Sequence, residues 1–99
     1  MQNGGRRVSG RYLTVLGRPN GAGHDRLGIV ASKKVGGAVQ RNRAKRRIRE
    51  VFRALEAASV PSQLPMDVVV IARPDTVTAP FAAITADFQA ALRKLRGAR

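Results

Sequence analysis

The chain has 99 residues and a formal net charge of +13, from 19 Lys and Arg against 6 Asp and Glu. That length makes one domain over residues 1–99, with no room for separate catalytic and substrate domains. The absence of cysteine excludes disulfides, thiolate zinc sites and Cys nucleophiles. Leu, Ile, Val and Phe supply 25 of the 99 residues, above the roughly 20% below which a highly charged chain stays disordered, so a folded basic domain is expected.

Met1 to Gly10 is rich in Gly and Arg, lacks periodicity and is expected to form a mobile arm. Its arginines have no apolar stretch behind them, so it is not a secretory signal. Arg11 to Leu16 (RYLTVL) alternates like a strand, with Tyr12, Thr14 and Leu16 on one face and Leu13 and Val15 on the other. Gly17 to Arg26 is dense in Gly, Pro, Asn and Asp and predicts a loop. Leu27 to Ser32 (LGIVAS) predicts a second strand, and strand–loop–strand suggests an antiparallel pair.

Lys33 to Gly37 (KKVGG) breaks regular structure, and a helix follows. Ala44, Ile48, Val51, Phe52 and Leu55 fall on one apolar stripe. On a wheel of about 100° per residue, Asn42, Lys45, Arg46, Arg49 and Arg53 lie away from that stripe, and Arg43 and Arg47 lie along its other edge. Pro61, Ser62 and Pro65 mark a loop. Asp67 to Ala72 (DVVVIA) predicts a central strand buried on both faces. Its apolar run is far short of the roughly 18 residues of a membrane helix. Arg73 to Ala79 is expected to be a connection. Pro80 suits a first helical turn, and Phe81, Ile84, Phe88, Leu92 and Leu95 repeat at helical spacing towards Gly97. All three phenylalanines are expected in the core. The order β-β-α-β-α predicts an α+β two-layer sandwich, a small sheet with helices on one side.

Nine of the 19 cations lie between Lys33 and Arg53, opposed only by Glu50. Their mutual repulsion works against folding, so a polyanion is the natural partner. Arg outnumbers Lys 15 to 4, and the guanidinium fork grips phosphate oxygens in pairs and stacks on bases, which favours nucleic acid. An active site is harder to find. His24 is the single histidine and sits in the Gly-rich loop. The six acids are scattered, and Glu50 and Glu56 are not at helical-neighbour spacing, so no carboxylate pair or metal site is evident. The KVGG glycines lack the spacing of a phosphate loop. Tyr12, beside Arg11, suits stacking on a single-stranded base as well as half-burial in a strand, and the sequence leaves both open.

The segment SKKVGGAVQRNRAKRRIREVFR, Ser32 to Arg53, closely resembles the signature of the bacterial ribonuclease P protein component: S-K-K-x-G-x-A-V leading into an R-N-R helix with a K-R-x-x-R continuation. VVVIARP (Val68 to Pro74) and Gly5 to Leu16 resemble two of the family's strand regions. The resemblance implies a fold like domain 2 of ribosomal protein S5, with a left-handed β-α-β crossover, where parallel strands usually cross right-handed. It implies a cytoplasmic protein subunit of a ribonucleoprotein endonuclease that frees the mature 5′ end of transfer RNA. Catalysis is then expected in the RNA, with Mg²⁺ bound there. The expected partners are the catalytic RNA and precursor transfer RNA, with neither a membrane nor a small-molecule substrate.

By motif position, Arg41, Asn42, Arg43, Lys45, Arg46 and Arg49 are implied to face the catalytic RNA, with Arg47, Arg53, Lys33 and Lys34 completing the basic surface. Asn42 is left between a base edge, a backbone oxygen and an anchor at the helix start. The family's cleft for the single-stranded 5′ leader is implied at Tyr12, Thr14, Leu16, Val30 and Ser32, with Lys34. Family members carry an N-terminal helix that lines this cleft, and here MQNGGRRVSG stands before the first strand. The expectation is a chain that keeps its affinity for the catalytic RNA and holds the leader weakly. A structural or ribosomal RNA-binding protein of the same fold is the alternative. A protein nuclease would need acids that the sequence does not bring together, and a DNA-binding helix-turn-helix would need a support helix before the basic one.

Overall fold

The structure is a computed structural model that describes residues 6–21, 24–58 and 66–97. Strands β1 (Arg6–Ser9), β2 (Leu13–Pro19), β3 (Arg26–Val30) and β4 (Met66–Ala72) form one sheet in the order β1-β2-β4-β3. Helix α1 (Ala38–Ala58) follows a 3-10 turn at Lys33–Val35, α2 (Asp75–Thr78) is a single turn, and α3 is Phe81–Gly97. The loop expected at Pro61, Ser62 and Pro65 lies outside the described residues.

β4 is the organiser of the sheet. It pairs antiparallel with β2 on one side and parallel with β3 on the other, and β3 reaches it through α1, a β-α-β crossover. The expected antiparallel pairing of β2 with β3 is therefore corrected. The long segment between them lacks the two-residue turn that would force a hairpin, and the β-branched run of β4 takes the central position instead. The mobile arm is corrected in part: Arg6–Ser9 pairs antiparallel with β2 as an edge strand, a place where charged residues are tolerated. Residues 1–5 lie outside the description.

One face of the sheet carries the core. Leu13 and Val15 of β2, with Val68 and Val70 of β4, are buried against Ala44, Ile48, Val51 and Phe52 of α1 and Ile84, Phe88, Leu92 and Leu95 of α3. Each buried Val, Leu, Ile or Phe among them contributes about 1.5–3 kcal/mol. The rings of Phe52 and Phe88 stack with centroids 6.1 Å apart, joining the two long helices. Two core expectations change. β4 alternates, with Met66, Val68, Val70 and Ala72 buried and Asp67, Val69 and Ile71 half-buried, because helices cover only one face. Phe81, on the first turn of α3, is 42% exposed.

Candidate nucleic-acid interface

Helix α1 sorts its cations by depth. Burying Ala44, Ile48, Val51 and Phe52 turns Asn42, Arg43, Arg46, Arg49 and Arg53 outward, while Arg41, Lys45 and Arg47 are half-buried at the flanks. Three of these arginines are tied into the fold. Arg41 Nη1 donates to Gly36 O at 3.2 Å, and Arg43 Nε donates to Val77 O at 3.3 Å. Arg47 Nη1 donates to Val77 O at 3.0 Å and Nη2 donates to Ala79 O, while its buried Nε has no partner among the described residues. Arg47 thus holds carbonyls at the end of α2 as it leaves towards α3. The side chains of Asn42, Arg46, Arg49 and Arg53 have no hydrogen bond to protein among the described residues, so their donors are available to phosphate.

Lys33 and Lys34 are exposed on the 3-10 turn before α1. Ser32 Oγ accepts from Lys34 N at 3.3 Å and caps that turn, and buried Val35 pins it to the core. Both lysines therefore stand on anchored backbone.

The second surface is the face of the sheet without helices. Register aligns Arg7, Leu16, Val69 and Gly28 in one row across the strands, and Ser9, Thr14, Ile71 and Val30 in the next. A third row is charged. Arg18 lies beside Asp67, and Asp67 accepts from Arg26 Nε at 2.7 Å, from Arg26 Nη2 at 3.0 Å and from Asn20 Nδ2 at 3.0 Å. The Arg26 bonds, then the Asn20 bond, hold the Asp67 carboxyl below the usual carboxylate range.

The expected leader residues distribute unevenly over this face. Leu16 is half-buried and Val30 is 47% exposed. Thr14 shares the face yet is buried, because Arg73 Nη2 donates to its Oγ1 at 2.8 Å and covers it. Tyr12 precedes β2 and packs half-buried against the core, with the Arg11 guanidinium carbon 5.6 Å from its ring centroid. Ser32 lies beyond the end of β3, its hydroxyl engaged by Lys34 N.

Sequence reading missed three contributors to this face. Val69 and Ile71 were assigned to a two-sided core, and Arg73 to a plain connection. The signal was present, since Asp67, Val69, Ile71 and Arg73 keep a period of two. The face is thus apolar at its centre and cationic at its margins. Among the described residues no three His, Cys, Asp or Glu side chains gather as a metal site, and no helix is long and apolar enough to cross a membrane.

Comparison with known proteins finds relatives in sequence and in fold. A profile of the Ribonuclease P family matches residues 1–96. The ribonuclease P protein component of Thermus thermophilus is 43% identical over 90 residues, covering 91% of this chain and 50% of its own length. That of Ruegeria pomeroyi is 44% identical over 95 residues, covering 91% and 74%. The solved RNase P protein of Thermotoga maritima superposes with a TM-score of 0.77 at 32% identity, covering 91% of this chain and 83% of that one. For the Staphylococcus aureus protein the TM-score is 0.75 at 34% identity, covering 93% and 82%. The chain spans about half the length of the Thermus relatives it matches.

Proposed function

As the chain belongs to the ribonuclease P protein family, we propose that it serves as the protein subunit of a ribonuclease P, assisting a catalytic RNA in removing the 5′ leader from precursor transfer RNA. The observation that carries this reading is the division of labour on the surface. Asn42, Arg46, Arg49 and Arg53 project from a packed helix with their donors unspent, and a separate sheet face offers apolar centre and cationic margin. A rigid strip of guanidinium groups suits the folded backbone of the catalytic RNA, since each phosphate neutralised releases counterions. A half-apolar face suits the unstacked bases of a single-stranded leader.

In this reading the protein contributes binding and orientation. The hydrolytic step and its Mg²⁺ belong to the RNA partner. The cations nearest that partner lower the free-metal demand by screening phosphates that would otherwise need counterions. Arg73 and Arg7 flank the apolar rows and meet leader phosphates, while Leu16, Val69, Ile71 and Val30 meet bases.

The test is reconstitution. The purified chain is mixed with its organism's catalytic RNA and a precursor transfer RNA at low Mg²⁺, and 5′ cleavage is followed. The expected result is cleavage that needs both RNA and protein and fails with Arg46→Ala/Arg49→Ala. Selective binding to ribosomal RNA without any effect on cleavage would replace this reading with a structural RNA-binding role. Cleavage by the protein alone would place the chemistry in the polypeptide.

A further inference from the structure

The start of α1 exposes an apolar residue that the fold does not use. Val39 is 75% exposed, on a helix whose outward positions are otherwise mostly polar, cationic or alanine. It borders a groove of about 400 Å³ shared with Gln40, Arg43, Val77 and Thr78, within the size range of small-ligand sites. Val77 is buried and forms part of the wall.

Two polar groups at this groove have donors to spare. Arg43 is anchored through Nε on Val77 O, and its Nη groups carry no hydrogen bond among the described residues. Gln40 lays its stem over Gly36, whose φ of 141° and missing side chain make this possible; a Cβ there would come within 2.9 Å of Gln40 Cβ. The Gln40 amide has no hydrogen bond among the described residues. No acid stands in the first turn of α1, so the positive end of a 21-residue helix adds to the Arg43 charge.

We infer that this groove receives one unpaired nucleotide of the RNA partner, an identification of the partner that rests on the ribonuclease P reading above. The base lies against the methyls of Val39, Val77 and Thr78, the Gln40 amide hydrogen-bonds its edge, and Arg43 takes its phosphate. An amide offers a donor and an acceptor side by side, which matches adenine N7 and N6, so adenine is the expected base. An apolar protein side chain would fill the groove yet leave the Gln40 amide and the Arg43 charge unmatched.

The test has two arms. In the first, AMP is titrated into the chain while the Val39 and Val77 methyl resonances are followed by NMR, with ribose 5-phosphate as the control. Saturable methyl shifts with AMP and none with ribose 5-phosphate are expected. Unmoved methyls, or equal movement with ribose 5-phosphate, overturn the proposal. In the second, Val39→Ala changes an exposed position and leaves the melting temperature unchanged. It weakens binding to the catalytic RNA roughly fivefold, as loss of two partly covered methyls implies, with the salt slope unaltered. Unaltered affinity also overturns the proposal, provided the wild type binds that RNA selectively. A wild type that binds it no better than unrelated RNA defeats the ribonuclease P reading, and the AMP arm then decides the groove by itself.

Discussion

Arg46 and Arg47 are neighbours in sequence with opposite employment. Arg46 points outward with no protein partner among the described residues, whereas Arg47 forks onto the carbonyls of Val77 and Ala79. Replacing Arg46 or Arg49 with Ala is expected to leave the melting temperature unchanged and to lower the slope of log K against log salt for RNA binding by roughly one each. An unchanged slope would show that the cation touches no phosphate. Arg47→Ala takes the side-chain donor from the Ala79 carbonyl and one of two donors, the other being Arg43 Nε, from the Val77 carbonyl, which costs about 1–3 kcal/mol, and each kcal/mol lowers the melting temperature of a domain this size by about 4–8 °C. Arg47→Lys restores little of this, because an ammonium cannot span two acceptors as a planar fork does. The helical wheel alone places Arg47 beside the apolar stripe. It could not show the carbonyls that Arg47 meets, because they lie 30 and 32 residues further along the chain. At Asp67, the bonds from Arg26 and Asn20 depress the carboxyl pKa in the fold, so ionised Asp67 favours the folded state. That contribution is present above the unfolded pKa of about 3.9 and is lost as pH falls through the lower folded value. Asp67→Asn is therefore expected to flatten the decline of melting temperature below about pH 4.

At the scale of elements, the β1–β2 turn shows how a short edge strand is kept in place. Gly10 N donates to Leu13 O at 2.8 Å, and three side chains from later elements satisfy the rest. Asp87 of α3 accepts from Arg11 N at 3.0 Å and from Tyr12 N at 2.9 Å. Arg73 Nη1 donates to Gly10 O at 2.8 Å, and Thr76 Oγ1 donates to Tyr12 O at 2.8 Å. Gly10 packs so close to Asp87 that a Cβ would fall 2.4 Å from its Oδ2. Asp87→Ala is expected to cost about 1.5–3 kcal/mol, the range for hydrogen bonds to a charged group, and to speed hydrogen exchange at Arg11 and Tyr12. Gly10→Ala should give the same exchange pattern by pushing the carboxylate away. Protection unaltered in both variants would mean that strand pairing alone holds the turn. This clamp explains why Arg6–Ser9 looked like an arm: its charged, glycine-flanked sequence has little strand propensity, and the docking groups lie 63 to 76 residues away. The helices were legible because their apolar stripes are local, and alternation, equally local, put Thr14 and Leu16 on one face of β2; that Val30 joins them was implied only by the resemblance, because it depends on pairing through β4. Strand order was not, because pairing partners are chosen by the competition of distant segments for the central position.

Across the whole molecule, positive charge is concentrated where the chain can least neutralise it. The ion pair of Arg26 with Asp67 lies on the sheet, while α1 carries its exposed cations, Arg43 to Arg53, along about 15 Å of its length. Salt at about 0.1 M screens over roughly 10 Å, so cations one or two turns apart still repel. Folding assembles this repulsion, and an anion lattice of matching spacing relieves it. A polyanion that binds the fold and not the unfolded chain stabilises it by about 2.7 kcal/mol at a hundred times its Kd. For a domain of this size that is a rise in melting temperature of roughly 10–20 °C. A single-stranded oligonucleotide, free of sequence requirement, is the direct probe. The rise is expected to shrink as NaCl is added, and to be smaller for Arg49→Ala/Arg53→Ala than for wild type. Arg7→Ala/Arg18→Ala, on the sheet side, separates the two surfaces. If it loses as much of the rise as the α1 pair does, the oligonucleotide runs over both faces; if it loses none, α1 alone is the polyanion track. A melting temperature indifferent to the oligonucleotide would mean that the cations are spaced only for solubility, and the proposed RNA-facing role of α1 would fall with it.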